Sequence, residues 1–162
     1  ILINKLRNEI PNIIIRTTFI VGFPGETEED FNELCDFVRE IKFDKLGVFT
    51  YSREEGTASY NYQGQIPDDI KESRRNQLME IQQRISYNLN KEKLNNDYLV
   101  LIESFNEDNL YIGRTYMDAP DIDGIVYINS NKDLILGEFV NTKIVDYLEY
   151  DLIGEISNEF SE

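Results

Sequence analysis

From Ile13 to Phe23 nearly every residue is β-branched or aromatic, and Gly22-Phe23-Pro24-Gly25 stops the run abruptly. Pro11 bounds it on the other side, so the stretch predicts a buried strand ending in a tight turn. Thr27 then offers a hydroxyl N-cap with Asp30 three residues on, an approximate capping box. Behind it Phe31, Leu34, Cys35, Val38 and Ile41 fall on one helical stripe. Leu46 to Ser52 predicts a second strand. A polar loop with Gly56 and Gly64 leads to Pro67, a favourable first-turn residue. From there a long helix reaches about Leu94, with Ile70, Leu78, Ile81, Ile85 and Leu89 on one face. Strand, helix, strand, helix at this spacing requires parallel strands with crossover helices, an α/β arrangement. Two strands cannot close such a sheet. The chain begins at Ile1 rather than Met, inside a helical pattern running to Ile10. It is therefore expected to be a piece of a longer protein whose other strands lie upstream.

The pattern changes near Asn95–Asp97. Beyond it apolar and polar residues alternate and turn residues recur about every ten positions. Five strands are predicted, at about 97–104, 109–116, 123–129, 137–148 and 151–157. Strands this short and this many suggest an all-β, five-stranded OB-like barrel. Charge shifts at the same place. The chain carries 16 Lys and Arg against 31 Asp and Glu, a net charge of −15. Residues 1–94 hold 13 basic and 16 acidic side chains; residues 95–162 hold 15 acidic ones and only Arg114, Lys132 and Lys143 as cations. Two domains, 1–94 and 95–162, account for both changes.

Composition excludes several chemistries. With no His, there is no Ser-His-Asp triad, no Cys-His pair, no His metal site and no His acid–base catalysis. With Cys35 as the one cysteine, this chain alone forms no intramolecular disulfide and no Cys-ligated zinc or iron–sulfur site. One unbridged thiol fits a reducing, cytoplasmic compartment. No apolar run approaches the roughly 18 residues of a membrane span, so no membrane partner is expected. At its start the chain does not resemble a signal peptide.

The Gly22–Thr27 string joins a strand to a helix. A phosphate loop is rejected: there is no Lys, and Glu26, Glu28, Glu29 and Asp30 fill the first turn, where they already complement the helix dipole. Either the string is only a tight turn, or its two glycines let a ligand approach the backbone at the C-terminal edge of a parallel sheet, where such folds place ligands. On the strand, Arg16, Thr18 and Ile20 share one face, and Ile15, Thr17, Phe19 and Val21 the other. In a buried strand Arg16 and Thr18 need partners, supplied by internal hydrogen bonds or by a cavity they line. Tyr51 to Thr57 leaves the second strand beside the first loop, as a solvated loop or as part of a site. Arg74, on the apolar face of the long helix, either snorkels or reaches a buried carboxylate. Cys35 reads as a buried small hydrophobe rather than a reactive thiol. Asp118, Asp121, Asp123 and Gly124 lack the EF-hand spacing; a polar turn is the first reading, with an acidic docking loop and a calcium site as the alternatives.

Four strings are similar to one family. They are Thr18 to Phe31, Leu46 to Thr57, Gly113-Arg114, and Asp118-Ala119-Pro120-Asp121-Ile122-Asp123-Gly124-Ile125-Val126-Tyr127. Together they resemble the radical S-adenosylmethionine methylthiotransferases. Within that family they look more like the RimO-type branch, which modifies a ribosomal protein, than like the tRNA-modifying branches. Many radical enzymes share the Gly-Phe-Pro-Gly-Glu-Thr string; the later strings are more specific, and the resemblance covers nearly the whole chain. It implies the last two strands of a radical βα barrel over 1–94 and a TRAM domain over 95–162. For the intact protein it implies S-adenosylmethionine, two 4Fe–4S clusters, and methylthiolation of the β-carbon of an aspartate in small-subunit ribosomal protein S twelve.

The family's Cys-x-x-x-Cys-x-x-Cys motif is not in this chain, so the resemblance places no catalytic residue and no metal ligand here. The piece alone is expected to be inactive. On the cofactor side it implies Ile20 against the adenine, Gly22 shaping the same surface and Thr18 beside them. The substrate-side candidates are Arg16, Tyr51, Arg53, Glu54 and Glu55 at the barrel mouth, with Asp118, Asp121 and Asp123 in the TRAM domain. Charge bears on the partner independently. Nucleic-acid binding draws on Lys and Arg, whereas a strongly acidic domain repels a polyanion and attracts a basic protein. A basic ribosomal protein is therefore the expected partner, and RNA binding by the second domain is disfavoured. The alternatives are a tRNA-modifying relative and a non-catalytic acidic adaptor.

Overall fold

A computed structural model describes residues 2–106 and 110–157. The elements are α1 (Leu2–Glu9), β1 (Arg16–Val21), α2 (Glu28–Ile41), β2 (Lys45–Thr50), a single 3-10 turn (Ala58–Asn61), α3 (Asp68–Glu92), β3 (Asp97–Phe105), β4 (Leu110–Arg114), β5 (Val126–Asn129), β6 (Phe139–Tyr147) and β7 (Leu152–Ile156). The chain divides into two compact units between Ile85 and Ser86. No helix among the described residues is long and apolar enough to cross a membrane.

In the first unit β1 and β2 pair in parallel, from Arg16 opposite Lys45 to Val21 opposite Thr50. Val21 and Val48 pack with Phe31, Cys35 and Val38 of α2 and with Leu78 of α3, and Phe19 leans on the same cluster. α2, the crossover between the two strands, and α3, which follows β2, thus cover one face of the strand pair. The expectation of a fully buried first strand is corrected here: β1 is half-buried. Its other face is open, with Ile20 58% exposed and Phe49 63% exposed.

The strand is also shorter than the apolar run. The Ile15 N–H goes to the Asp44 carboxylate at 2.9 Å instead of joining the ladder. At the far end Gly22 adopts φ +74° and turns the chain away. α2 begins with the capping box expected from sequence: Thr27 Oγ1 accepts from the Asp30 N–H at 3.1 Å, and Asp30 Oδ2 accepts from the Thr27 N–H at 2.8 Å. It ends at Lys42 in the left-handed region. Arg7 of α1 donates to the carbonyls of Ile41 at 2.6 Å and Lys42 at 2.8 Å, satisfying groups that the helix leaves unpaired.

The second unit is a closed barrel in the order β3-β4-β5-β7-β6. β5 and β7 run parallel and the other pairs antiparallel. Register shifts at Ile102/Ser104 and Ile144/Asp146 bend the long strands around the barrel. Val100, Ile102, Val126, Ile128 and Ile144 fill it. Tyr111 is buried among them, and its hydroxyl accepts the Leu134 N–H at 3.1 Å.

Five strands are present where five were predicted, but the third and fourth are shorter; Asn109, in the predicted 109–116 strand, lies outside the described residues. The second compact unit takes in the end of α3, from Ser86. The last turns of that helix pack on the barrel: the Tyr87 ring meets that of Tyr147 at a tilt, with centroids 5.0 Å apart, and Asn90 donates to the Leu148 carbonyl at 3.1 Å.

Candidate functional site

The loop that leaves β1 is built from inside. The Gly22 N–H points at the Glu26 carboxylate, 3.0 Å from both oxygens. A Cβ on Gly22 would collide with Lys71 Cγ of α3. Gly22 therefore shapes the turn, but its N–H is taken and the space above it is filled. The Glu26 side chain is only 13% exposed, and Arg74, 8% exposed, meets it with Nη1 at 2.6 Å. The other prong of the guanidinium reaches Glu28 Oε2 at 3.2 Å. Of the two readings left open for Arg74, the structure selects the buried carboxylate.

The loop that leaves β2 folds onto the first. The Tyr51 N–H bonds the Val21 carbonyl at 2.8 Å, and the Gly25 N–H bonds Gly64 O at 2.9 Å. Tyr51 is buried, its ring edge-on to Phe23 at 5.2 Å. Phe23 in turn meets Tyr62 at 6.0 Å. Arg53 lies over the Tyr60 ring at 4.4 Å and donates Nε to the Tyr60 carbonyl at 2.8 Å. Glu54 accepts from the Ser52 hydroxyl, and Glu55 is exposed. Of the loop candidates, Tyr51 is buried, while Arg53, Glu54 and Glu55 are all exposed, Arg53 and Glu54 with hydrogen bonds inside the loop.

The open face of the strand pair is the surface a ligand can reach. Ile20 sits in register with Phe49, Thr18 with Gly47 and Arg16 with Lys45. Partners in a parallel ladder point to the same side, so an apolar pair lies at the C-terminal end with a hydroxyl behind it. Such a row suits a flat, partly polar ring laid against Ile20 and Phe49. Beside it a cleft of about 390 Å³ is lined by Gly47, Val48, Phe49, Thr50, Arg75 and Met79. Phe49 was missed as a site residue. The signal was its place in the β2 alternation, but only the register sets it beside Ile20. Cys35 is buried in the core, and burial pushes its thiol pKa up. It is placed as a hydrophobe, not as a ligand.

In the barrel, the acidic string between β4 and β5 folds a turn. Asp118 Oδ2 accepts from the Thr115 hydroxyl at 2.8 Å, and Asp123 Oδ2 accepts from the Ala119 N–H at 2.7 Å. A Cβ on Gly124 would collide with the Tyr150 carbonyl oxygen, so only glycine fits there. Asp118 and Asp123 thus build the turn, while Asp121 is exposed at its tip with φ +61°. Two of the three cations have acids beside them in the sheet. Arg114 Nε pairs with Glu103 at 2.7 Å, and Lys143 lies in register between Asp97 and Glu155.

A family model described as the TRAM domain matches residues 96–156, which takes in all five barrel strands. The barrel is similar to TRAM domains over those residues. Among curated relatives, the ribosomal protein uS12 methylthiotransferase RimO of Acetivibrio thermocellus is 52% identical over 162 residues, 99% of this chain and 36% of the relative. The RimO of Caldanaerobacter subterraneus subsp. tengcongensis is 56% identical over 153 residues, 94% of this chain and 35% of the relative. That of Clostridioides difficile is 53% identical over 159 residues, 98% and 36%. The chain is thus related to the RimO methylthiotransferases, with a TRAM-like barrel in one of its two units, and it spans about 36% of the length of these relatives.

Proposed function

We propose that this chain is the C-terminal part of a radical S-adenosylmethionine methylthiotransferase whose intact form modifies an aspartate of ribosomal protein uS12. The observation that carries the reading is the identity of 52% across both units of the chain, sheet and TRAM domain alike. The open row on β1 and β2 supports it: Ile20 and Phe49 offer an apolar platform for adenine, and Thr18 an adjoining hydroxyl. The iron–sulfur clusters do not fit residues of this chain, since Cys35 is its one thiol and lies in the core. Their ligands would come from elsewhere in the intact protein. Bound together, cofactor and clusters would supply the radical chemistry and the methylthio group. The residues present here would hold the adenosine end and exclude water from one side of it.

The TRAM domain would meet the substrate. A stretch with 15 Asp and Glu against three Lys and Arg over residues 95–162, and with Arg114 and Lys143 already flanked by acids, favours a cationic polypeptide over RNA. The turn-tip Asp121 and the exposed Glu55 are the substrate-side candidates that the geometry supports. A compartment with a reducing cytoplasmic milieu accords with the unbridged thiol. The test is to incubate the reconstituted intact protein with uS12 and, separately, with tRNA, and to follow the mass of each. Modification of uS12 is expected; modification of tRNA alone would overturn the choice of substrate. No cluster-dependent cleavage of S-adenosylmethionine would overturn the enzyme reading in favour of an adaptor.

A further inference from the structure

The Arg74–Glu26 pair is more elaborate than a turn requires. Both side chains are withdrawn from water, and Arg74 makes four different approaches. It meets Glu26 Oε1 at 2.6 Å, the Glu26 carbonyl at 3.3 Å, Glu28 Oε2 at 3.2 Å and the face of Phe31 at 5.4 Å. On its other side the same Glu26 carboxylate receives the Gly22 N–H. A buried ion pair of this kind adds little net stability over an apolar replacement, yet losing one partner strands the other charge. What it does supply is geometry. Through Glu26, a guanidinium on α3 fixes the left-handed Gly22, two residues beyond Ile20. The Val21 carbonyl, between them, takes the Tyr51 N–H, and Tyr51 lies two residues beyond Phe49. The end of β1 therefore rests on the Glu26 contact, and the end of β2 is tied to it through the Val21–Tyr51 hydrogen bond.

Resting on the reading that this unit holds the adenosine end of S-adenosylmethionine, we propose that Arg74 and Glu26 are positioning residues that set the Ile20–Phe49 row for the cofactor without touching it. A shift of about 1 Å at such a platform is enough to cost a large factor in binding or rate.

The experiment uses the reconstituted intact protein and labelled S-adenosylmethionine in equilibrium dialysis, with the KM and kcat of cofactor cleavage measured alongside. Arg74→Gln and Glu26→Gln should each weaken binding about tenfold or more, with KM rising more than kcat falls. Arg74→Lys keeps a charge on Glu26 but loses the fork, and should restore part of the affinity. The double variant should cost little more than either single change, because the two act through one contact. Arg39→Gln, on the exposed side of α2, should change nothing. Should Arg74→Gln fail to fold, Glu26→Gln carries the test, since it keeps an acceptor for Gly22. Folded variants that bind the cofactor like the wild type, or a double variant whose losses simply add, would overturn the proposal. Wild-type protein that binds no S-adenosylmethionine would overturn the underlying reading and the proposal with it.

Discussion

At the scale of single residues, the open row and the buried turns answer to different forces, and substitutions should separate them. Ile20 and Phe49 are more than half exposed, so truncating either removes little burial. Ile20→Ala and Phe49→Ala should each change unfolding free energy by only about 0.5–1 kcal/mol, as surface substitutions do. In the intact protein the same changes should weaken S-adenosylmethionine binding severalfold. Urea unfolding and equilibrium dialysis on the same samples check this, and a large stability loss with unaltered binding would remove the row from the site. Gly124 is the opposite case. Its missing Cβ is occupied by the Tyr150 carbonyl oxygen, and that oxygen belongs to backbone that cannot rotate aside. Gly124→Ala should therefore cost about 2 kcal/mol or more, by overpacking, seen as a lower denaturation midpoint. Gly124 was singled out in the sequence only within an acidic string. The chain crossing that demands it was not visible, because Tyr150 is far away along the chain.

At the scale of elements, α2 shows how local chemistry sets a boundary. Asp30 is held below the ordinary carboxylate value of 3.8 chiefly by its hydrogen bond to the Thr27 side chain, then by the Thr27 N–H. A carboxyl with a lowered native pKa contributes stability at all pH values above its unfolded pKa. It loses that contribution as pH falls from 3.8 through the native value. The stability gap between wild type and Asp30→Asn should thus be constant at neutral pH and close on acidification, measured by urea unfolding at stepped pH. Thr27→Ala, which removes the hydroxyl half of the box, should cost about 1 kcal/mol at pH 7. The capping box and the stripe from Phe31 to Ile41 were legible because both are local. The first strand was misjudged for the same reason: its run is rich in β-branched and aromatic residues, but two helices on one side leave the face of Arg16, Thr18 and Ile20 uncovered.

At the scale of the whole molecule, the charge imbalance governs encounter more than fold. If the acidic TRAM domain receives a basic protein, binding of uS12 to the intact protein should weaken steeply as salt rises, since exposed charges are screened over about 10 Å at 0.1 M. Binding of tRNA should stay weak at every salt concentration, lacking a basic track. A fluorescence titration of both across a salt series would show it; tRNA binding that is tighter and strongly salt-dependent would reverse the assignment. The acids of the barrel are put to different uses. Asp118 and Asp123 are spent on a turn and Glu103 on Arg114, whereas Asp121 faces outward. A count of charges could not distinguish these, because hydrogen bonding to neighbours depends on the turn geometry.

The sequence by itself determined the two-part organisation, the parallel βα character of the first part, the five-stranded barrel of the second and the capped start of α2. Each follows from periodicity or from contacts within a few residues. The tertiary structure alone decided that Ile20 lies beside Phe49, that Arg74 reaches Glu26 from 48 positions away, and that the two loops are bonded to each other. Those pairings depend on strand register and on where a helix returns over a sheet, and no spacing along the chain encodes either.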